Sequence, residues 1–262
     1  MMRHVLIFLI FSITSFTALA SEITRLNTRD GVSVPLIYVK HPKARANLIL
    51  LPGGAGGFGK MQNGEPDGRN FLVRSYQYFL NAGFNVVIMG KPSDINDLDY
   101  ADRIAAPHQQ DIAAVVEMVS NDTSLPVWLI GTSRGTVSAT AAAINLGPNK
   151  LAGIVLSSSI VSNRKPGAIP FQNLQGITLP VLLVHHQNDA CQVCTPSLVP
   201  SILERLSNTK DKQLIWMQGG QNPQGDACEA LHFHGYIGIE AETAKQITDW
   251  IHQHDPSTKS KE

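Results

Sequence analysis

The hydrophobic positions of this chain fall into short runs set apart by polar and glycine-rich stretches. Asn47-Leu48-Ile49-Leu50-Leu51 is apolar almost throughout and is stopped by Pro52-Gly53. Phe84 to Met89, Val127 to Ile130, Leu151 to Leu156, Val181 to Val184 and Gln213 to Met217 have the same strand character. Short, nearly continuous apolar runs are the pattern of strands buried on both faces, as in a parallel sheet. Segments with helical spacing lie between them. They are Phe71 to Asn81 (stopped by Gly83), Asp111 to Val119, the small-residue run Thr136 to Ala143, Pro200 to Leu206, and an amphipathic Ala241 to His252. Near the N-terminus, two strand-like runs flank Asn27-Thr28-Arg29-Asp30-Gly31, a hairpin signal. The alternation predicts an α/β fold, with a mainly parallel sheet flanked by helices on both faces. Gly90 to Ala106 reads as polar and irregular, and Asp255 to Glu262 as a disordered tail.

Candidate chemistry sits where the apolar run Val127-Trp128-Leu129-Ile130 feeds into Gly131-Thr132-Ser133-Arg134-Gly135. A strand, a sharp turn and a helix around Gly-x-Ser-x-Gly make a nucleophile elbow, with the serine hydroxyl exposed above the sheet. Side chains at Gly131 and Gly135 are expected to collide with the neighbouring strand or helix. A second glycine-rich turn, Pro52-Gly53-Gly54-Ala55-Gly56-Gly57, follows the Asn47–Leu51 strand. Gly54 to Lys60 also fits Gly-x-x-x-x-Gly-Lys, the opening of a phosphate-binding loop. Met61 stands where that motif needs Ser or Thr, and no helix-forming run begins at Lys60.

From about Ile23 to Ile251 the chain resembles the α/β-hydrolases, and more narrowly the small exported bacterial serine hydrolases of unassigned substrate. The resemblance implies a Ser-His-Asp triad, its members in the order serine, acid, histidine. It selects Ser133 as nucleophile. It selects Asp189, in the turn after Val181–Val184, as the acid that orients the base. His234, in Leu231-His232-Phe233-His234-Gly235-Tyr236, is the implied base, with His232 as the alternative. His185 and His186 are expected to shape the Asp189 turn. The oxyanion hole falls to the amides of Gly54 (Ala55 is the next candidate) and Arg134. Relatives often carry a cap domain after the strand ending near Leu156. Here only Ser157 to Thr178 fills that gap, so no large cap domain is expected and the site should be open.

Other features adjust this picture. Met1-Met2-Arg3-His4, the apolar Val5 to Phe16 and Ala18-Leu19-Ala20 read as a signal peptide cleaved after Ala20. The domain then spans 21–254, and the protein is expected in the periplasm or secreted, without stable membrane insertion. Export permits a disulfide. If Asp189 and His234 meet, Cys191 and Cys228 lie in neighbouring loops and are expected to bond, leaving Cys194 odd. A zinc site of Cys191, Cys194, Cys228 and His232 is the rival reading. The 262 residues are 43% hydrophobic and carry a net charge of +0, so there is no electrostatic case for a nucleic-acid partner. A small acyl substrate is expected, and neither a metal nor an organic cofactor is required. Peptidase, thioesterase or acyltransferase action would use the same triad. A metal-dependent hydrolase on His185, His186 and Asp189, or a non-catalytic binding protein on this scaffold, are rivals from other classes. Arg134, Arg164 and Lys165 are candidates to meet an anionic group beside the site.

Overall fold

The structure, a computed structural model, describes residues 22–254. The leader expected over 1–20 and the tail expected over 255–262 lie outside the described residues. The chain opens with the antiparallel hairpin β1 (Ile23–Arg29) and β2 (Val32–Val39). β3 (Asn47–Leu51) runs into the glycine loop, from which a small hairpin, β4 (Met61–Gln62) and β5 (Glu65–Pro66), projects. α1 (Phe71–Arg74) and α2 (Tyr76–Asn81) share the helical run expected there, broken at Ser75. Then come β6 (Asn85–Met89), α3 (Tyr100–Ile104), α4 (Ala106–Thr123), β7 (Val127–Thr132), α5 (Arg134–Leu146) and β8 (Gly153–Ser157). The chain closes with β9 (Val181–His186), α6 (Pro200–Arg205), β10 (Lys212–Met217) and α7 (Glu240–Gln253).

Eight strands form one sheet in the order β1-β2-β6-β3-β7-β8-β9-β10. From β6 to β10 every pairing is parallel, and the N-terminal hairpin joins β6 antiparallel. The expected mainly parallel sheet is therefore present. Its inner strands are buried on both faces, which explains their unbroken apolar runs. Ile49, Leu51, Leu129 and Ile154 face one layer, with Ile112 and Val115 of α4 and Ala139 and Ala143 of α5. Leu48, Leu50, Trp128 and Ile130 face the other, with Phe71, Phe79, Ile247 and Trp250. Leu51 pairs with Gly131, Thr132 with Ser157, and Ser157 with Val184. The carboxyl ends of four adjacent strands thus open onto one edge, where ligands bind in open α/β sheets.

Two expectations need correction. Gly90 to Ala106 is not wholly irregular, because α3 lies within it and α4 begins at Ala106. The charged run Asp97 to Arg103 hides this helix, since its Arg103 is buried by polar contacts and adds nothing to an apolar stripe. The phosphate-loop reading also fails on context: Lys60 is followed by the strand β4, where that motif needs a helix N-terminus. Between β8 and β9 the chain makes two single 3₁₀ turns, Ile169–Phe171 and Leu174–Gly176, in keeping with the expected lack of a large cap.

Candidate active site

Ser133 stands between β7 and α5 at φ 55° and ψ −125°, a conformation that L side chains rarely hold. Surrounding contacts over-determine it. The Ser133 N–H donates to Ser157 O at 2.9 Å, and Ser133 O accepts from the Thr136 N–H at 2.9 Å and the Thr136 hydroxyl at 2.6 Å. The turn is tight enough that a Cβ on Gly135 would strike Leu51 O of β3, and one on Gly131 would strike Gly135 O. Both glycines of the pentapeptide are therefore fixed by close approach, as the sequence suggests.

Asp189 lies in the turn beyond β9, buried, and holds the loop that carries His234. The His234 Nδ1–H donates to Asp189 Oδ2 at 2.8 Å, while Asp189 Oδ1 accepts from the Cys191 N–H at 2.9 Å. His185 Nε2 lies 2.8 Å from Cys194 O and 3.4 Å from Asp189 Oδ2. Both neighbours are acceptors, so Nε2 carries the proton. Burial pushes the Asp189 carboxyl up, but His185 and His234 outweigh it and bring it down to about 2. The His186 Nε2–H donates to Gly219 O and its Nδ1 accepts from the Asn188 N–H, bracing the Asp189 turn as expected. Of the two histidines in the last loop, His234 reaches Asp189. His232 instead packs edge-on against Phe233.

His234 is also held through its backbone. Its carbonyl accepts from Ser158 Oγ at 2.7 Å, and the next carbonyl, Gly235 O, accepts from Arg74 Nη2 at 2.5 Å. The Tyr236 hydroxyl donates to Val184 O at 2.8 Å, tying the same loop to β9. With Nδ1 committed to Asp189, His234 Nε2 is left with no partner among the described residues. The Ser133–His234 hydrogen bond is not made, yet both residues line one cavity of about 380 Å³ together with Gly53, Gly54 and Asn70. Catalytic hydrogen bonds are often loose before substrate binds.

Gly54 sits in this cavity at φ +59°, and Arg134 is the first residue of α5, where an amide has no intrahelical partner. Beneath the glycine loop lies a residue that sequence reasoning missed. Arg103 is fully buried, and its Nη2 donates to both Pro52 O and Gly54 O at 3.1 Å. Its Nε donates to Leu98 O and its Nη1 to Ser138 Oγ, also at 3.1 Å. Ser138 Oγ in turn lies 2.9 Å from His108 Nε2 in a hydrogen bond. Burial, with Arg134 nearby, brings the Arg103 guanidinium down to about 9, and burial with Arg103 holds His108 down near 3, so His108 is neutral. Only the fold connects residues this far apart; an Asp99-x-x-Asp102 helix start was the one local signal for α3.

Cys191 and Cys228 are bonded, across 37 residues of chain, and Cys194 is a free, buried thiol. Ligand atoms of Cys191, Cys194 and His234 cluster within 4.8 Å, but the Cys191 sulfur is already used and His232 is not among them. His185 and His186 point proton-bearing Nε2 atoms at carbonyl oxygens, so these atoms are not metal donors as placed. Arg134, Arg164 and Lys165 do not line the cavity. Arg134 and Lys165 instead stack on Tyr100, at 4.7 and 4.9 Å, with Arg134 beside Asp97 and Asp99.

No family model matches the sequence, and no curated protein does. Solved structures do match. An α/β serine hydrolase without a lid from Xanthomonas campestris is similar at 17% identity and TM-score 0.62, over 93% of this chain and 99% of that one. Dienelactone hydrolase from Anabaena variabilis is similar at 14% identity and TM-score 0.62, over 90% and 99%. An esterase from Pyrococcus furiosus is similar at 14% identity and TM-score 0.64, over 89% and 92%. Near-complete coverage of chains of this one architecture, joined to the sheet order and the elbow, leads to one conclusion: this protein has the α/β-hydrolase fold.

Proposed function

We propose that this protein is an exported serine hydrolase that cleaves acyl esters through a covalent acyl-enzyme. One observation carries the reading. His234 donates from Nδ1 to the buried carboxylate of Asp189, which leaves its Nε2 lone pair free in the cavity that Ser133 also lines. That is the tautomer a general base needs. Ser133 Oγ attacks the acyl carbon and passes its proton to His234 Nε2. The imidazolium is stabilised by Asp189 and then protonates the leaving oxygen. The tetrahedral oxyanion is held by the amides of Gly54 and Arg134, and water activated by His234 releases the acid. Neither metal nor organic cofactor enters these steps. The open cavity and the short β8–β9 connection favour small acyl esters, and esterases are among the similar structures. Export rests on the leader-like Met1 to Ala20, and the Cys191–Cys228 bond suits an oxidising compartment.

The test is active-site labelling of the mature protein with a fluorophosphonate, followed by a screen of short-chain acyl esters. Wild type is expected to label, and Ser133→Ala and His234→Ala to lose labelling while keeping their fold. A folded wild type that neither labels nor turns over any ester would overturn the reading and favour a binding protein on this scaffold.

A further inference from the structure

Asn70 stands at the start of α1 with a side chain that faces two ways. Its Oδ1 accepts from the Leu72 N–H at 3.0 Å, capping the helix. That bond identifies which end of the amide is oxygen, so Nδ2 and its two N–H groups are turned away from the helix. Nδ2 makes no hydrogen bond among the described residues. Asn70 lines the same cavity as Gly54, Ser133 and His234. A Cβ built on Gly53 would lie 2.8 Å from Ser133 Cβ and 3.3 Å from Asn70 Nδ2. The nucleophile and this amide therefore flank one bare Cα, and the missing side chain at Gly53 keeps the space between them open. A donor held by a cap, unpaired and lining the cavity that Ser133 also lines is placed to receive a ligand oxygen.

We propose that Asn70 is a further catalytic residue, whose Nδ2–H donates to the oxygen of the scissile carbonyl. This rests on the reading of Ser133 as nucleophile. As Ser133 Oγ bonds to the acyl carbon, the carbonyl π pair moves onto oxygen and the hydroxyl proton moves to His234. The pair returns when the carbonyl re-forms and the leaving group departs with that proton. A neutral donor binds the anionic oxygen about twice as strongly as the neutral carbonyl. Such a contact lowers the barrier more than it tightens the ground state, so it acts on kcat rather than on KM. Asn70 would then be a third donor beside the amides of Gly54 and Arg134. Unlike those two, it comes from a side chain and is open to substitution.

The alternative is that Asn70 serves only as a helix cap, and two substitutions separate these roles. Asn70→Ser and Asn70→Asp both keep an acceptor that caps α1 about as well, while both lose the amide donor. The Asp carboxylate also repels an oxyanion, so the neutral Ser variant decides and Asp reports on the cap through Tm. The experiment measures kcat, KM, fluorophosphonate labelling rate and Tm for wild type and both variants on one short-chain ester. Removal of a single oxyanion donor is expected to lower kcat and labelling rate by about 10²- to 10³-fold. KM should stay within about threefold and Tm near that of wild type. Wild-type kcat in Asn70→Ser would overturn the inference while leaving the serine-hydrolase reading intact. A loss of activity that merely follows a fall in Tm would overturn it too. An unlabelled, inactive wild type would remove both readings together.

Discussion

The residue with the most concentrated chemistry is Asp189. It is buried beside His185 and His234, and the carboxyl, ordinarily near 3.8, is held at about 2. A carboxylate whose folded value is depressed adds stability above its unfolded value and loses it as pH falls through the folded one. The contribution of Asp189 is thus complete above about pH 4 and disappears towards pH 2. Acid unfolding of wild type should therefore show a steeper loss across that window than Asp189→Asn, which has no proton to bind there. Equal slopes would mean the carboxylate is not held as described. Because Asp189 stays ionised well below neutrality, the acid limb of a pH–rate profile does not belong to it. In kinetics, Asp189→Asn should lower kcat by up to about 10⁴-fold, because an asparagine can favour the wrong His234 tautomer.

At the scale of elements, the site depends on a short helix that hydrophobic pattern does not reveal. α3 carries Arg103, which bonds Pro52 O and Gly54 O from beneath the glycine loop. The loop itself has few side chains with which to hold a shape. Arg103→Met leaves several buried acceptors unpaired, at about 1–3 kcal/mol for each group so stranded. It should lower Tm and slow fluorophosphonate labelling more than it weakens ester binding. Arg103→Lys keeps charge but not the planar fork, so it should fall between the two. A Met variant with wild-type Tm and labelling rate would show that the loop holds itself.

At the scale of the whole molecule, a covalent link joins the loops that carry Asp189 and His234. The Cys191–Cys228 bond spans 37 residues, and the chain-entropy model gives a crosslink of that length about 3–4 kcal/mol. The link also joins the loop after Asp189 to the segment before His234. Cys228→Ser should reduce Tm by several degrees and lower kcat, since loosening one loop against the other misplaces the base. Thermal melts and ester kinetics on oxidised, reduced and Cys228→Ser protein check this. Reduced and mutant proteins should agree with each other and differ from the oxidised form. The His234 loop is further tied by hydrogen bonds from Ser158 and Arg74 and by the buried Tyr236, which donates to Val184 O and packs against Phe71.

The sequence alone determined the layered α/β architecture, because strands buried on both faces must be apolar throughout and that pattern is local. It also determined the elbow, because Gly131 and Gly135 answer to contacts within a few residues or with the adjacent strand. Ser133, Asp189 and His234 could be singled out by their order along the chain and the resemblance it carries. Their meeting could not be read there, since 45 residues separate His234 from the carboxylate it touches. Tertiary structure alone decided that His234 rather than His232 reaches Asp189. It alone decided that Arg103 lies under the glycine loop and that Asn70, with its amide unpaired, shares a cavity with Ser133. Each of these is a directional contact between distant segments, and hydrogen-bond geometry of that kind leaves no periodic trace in the residues that make it.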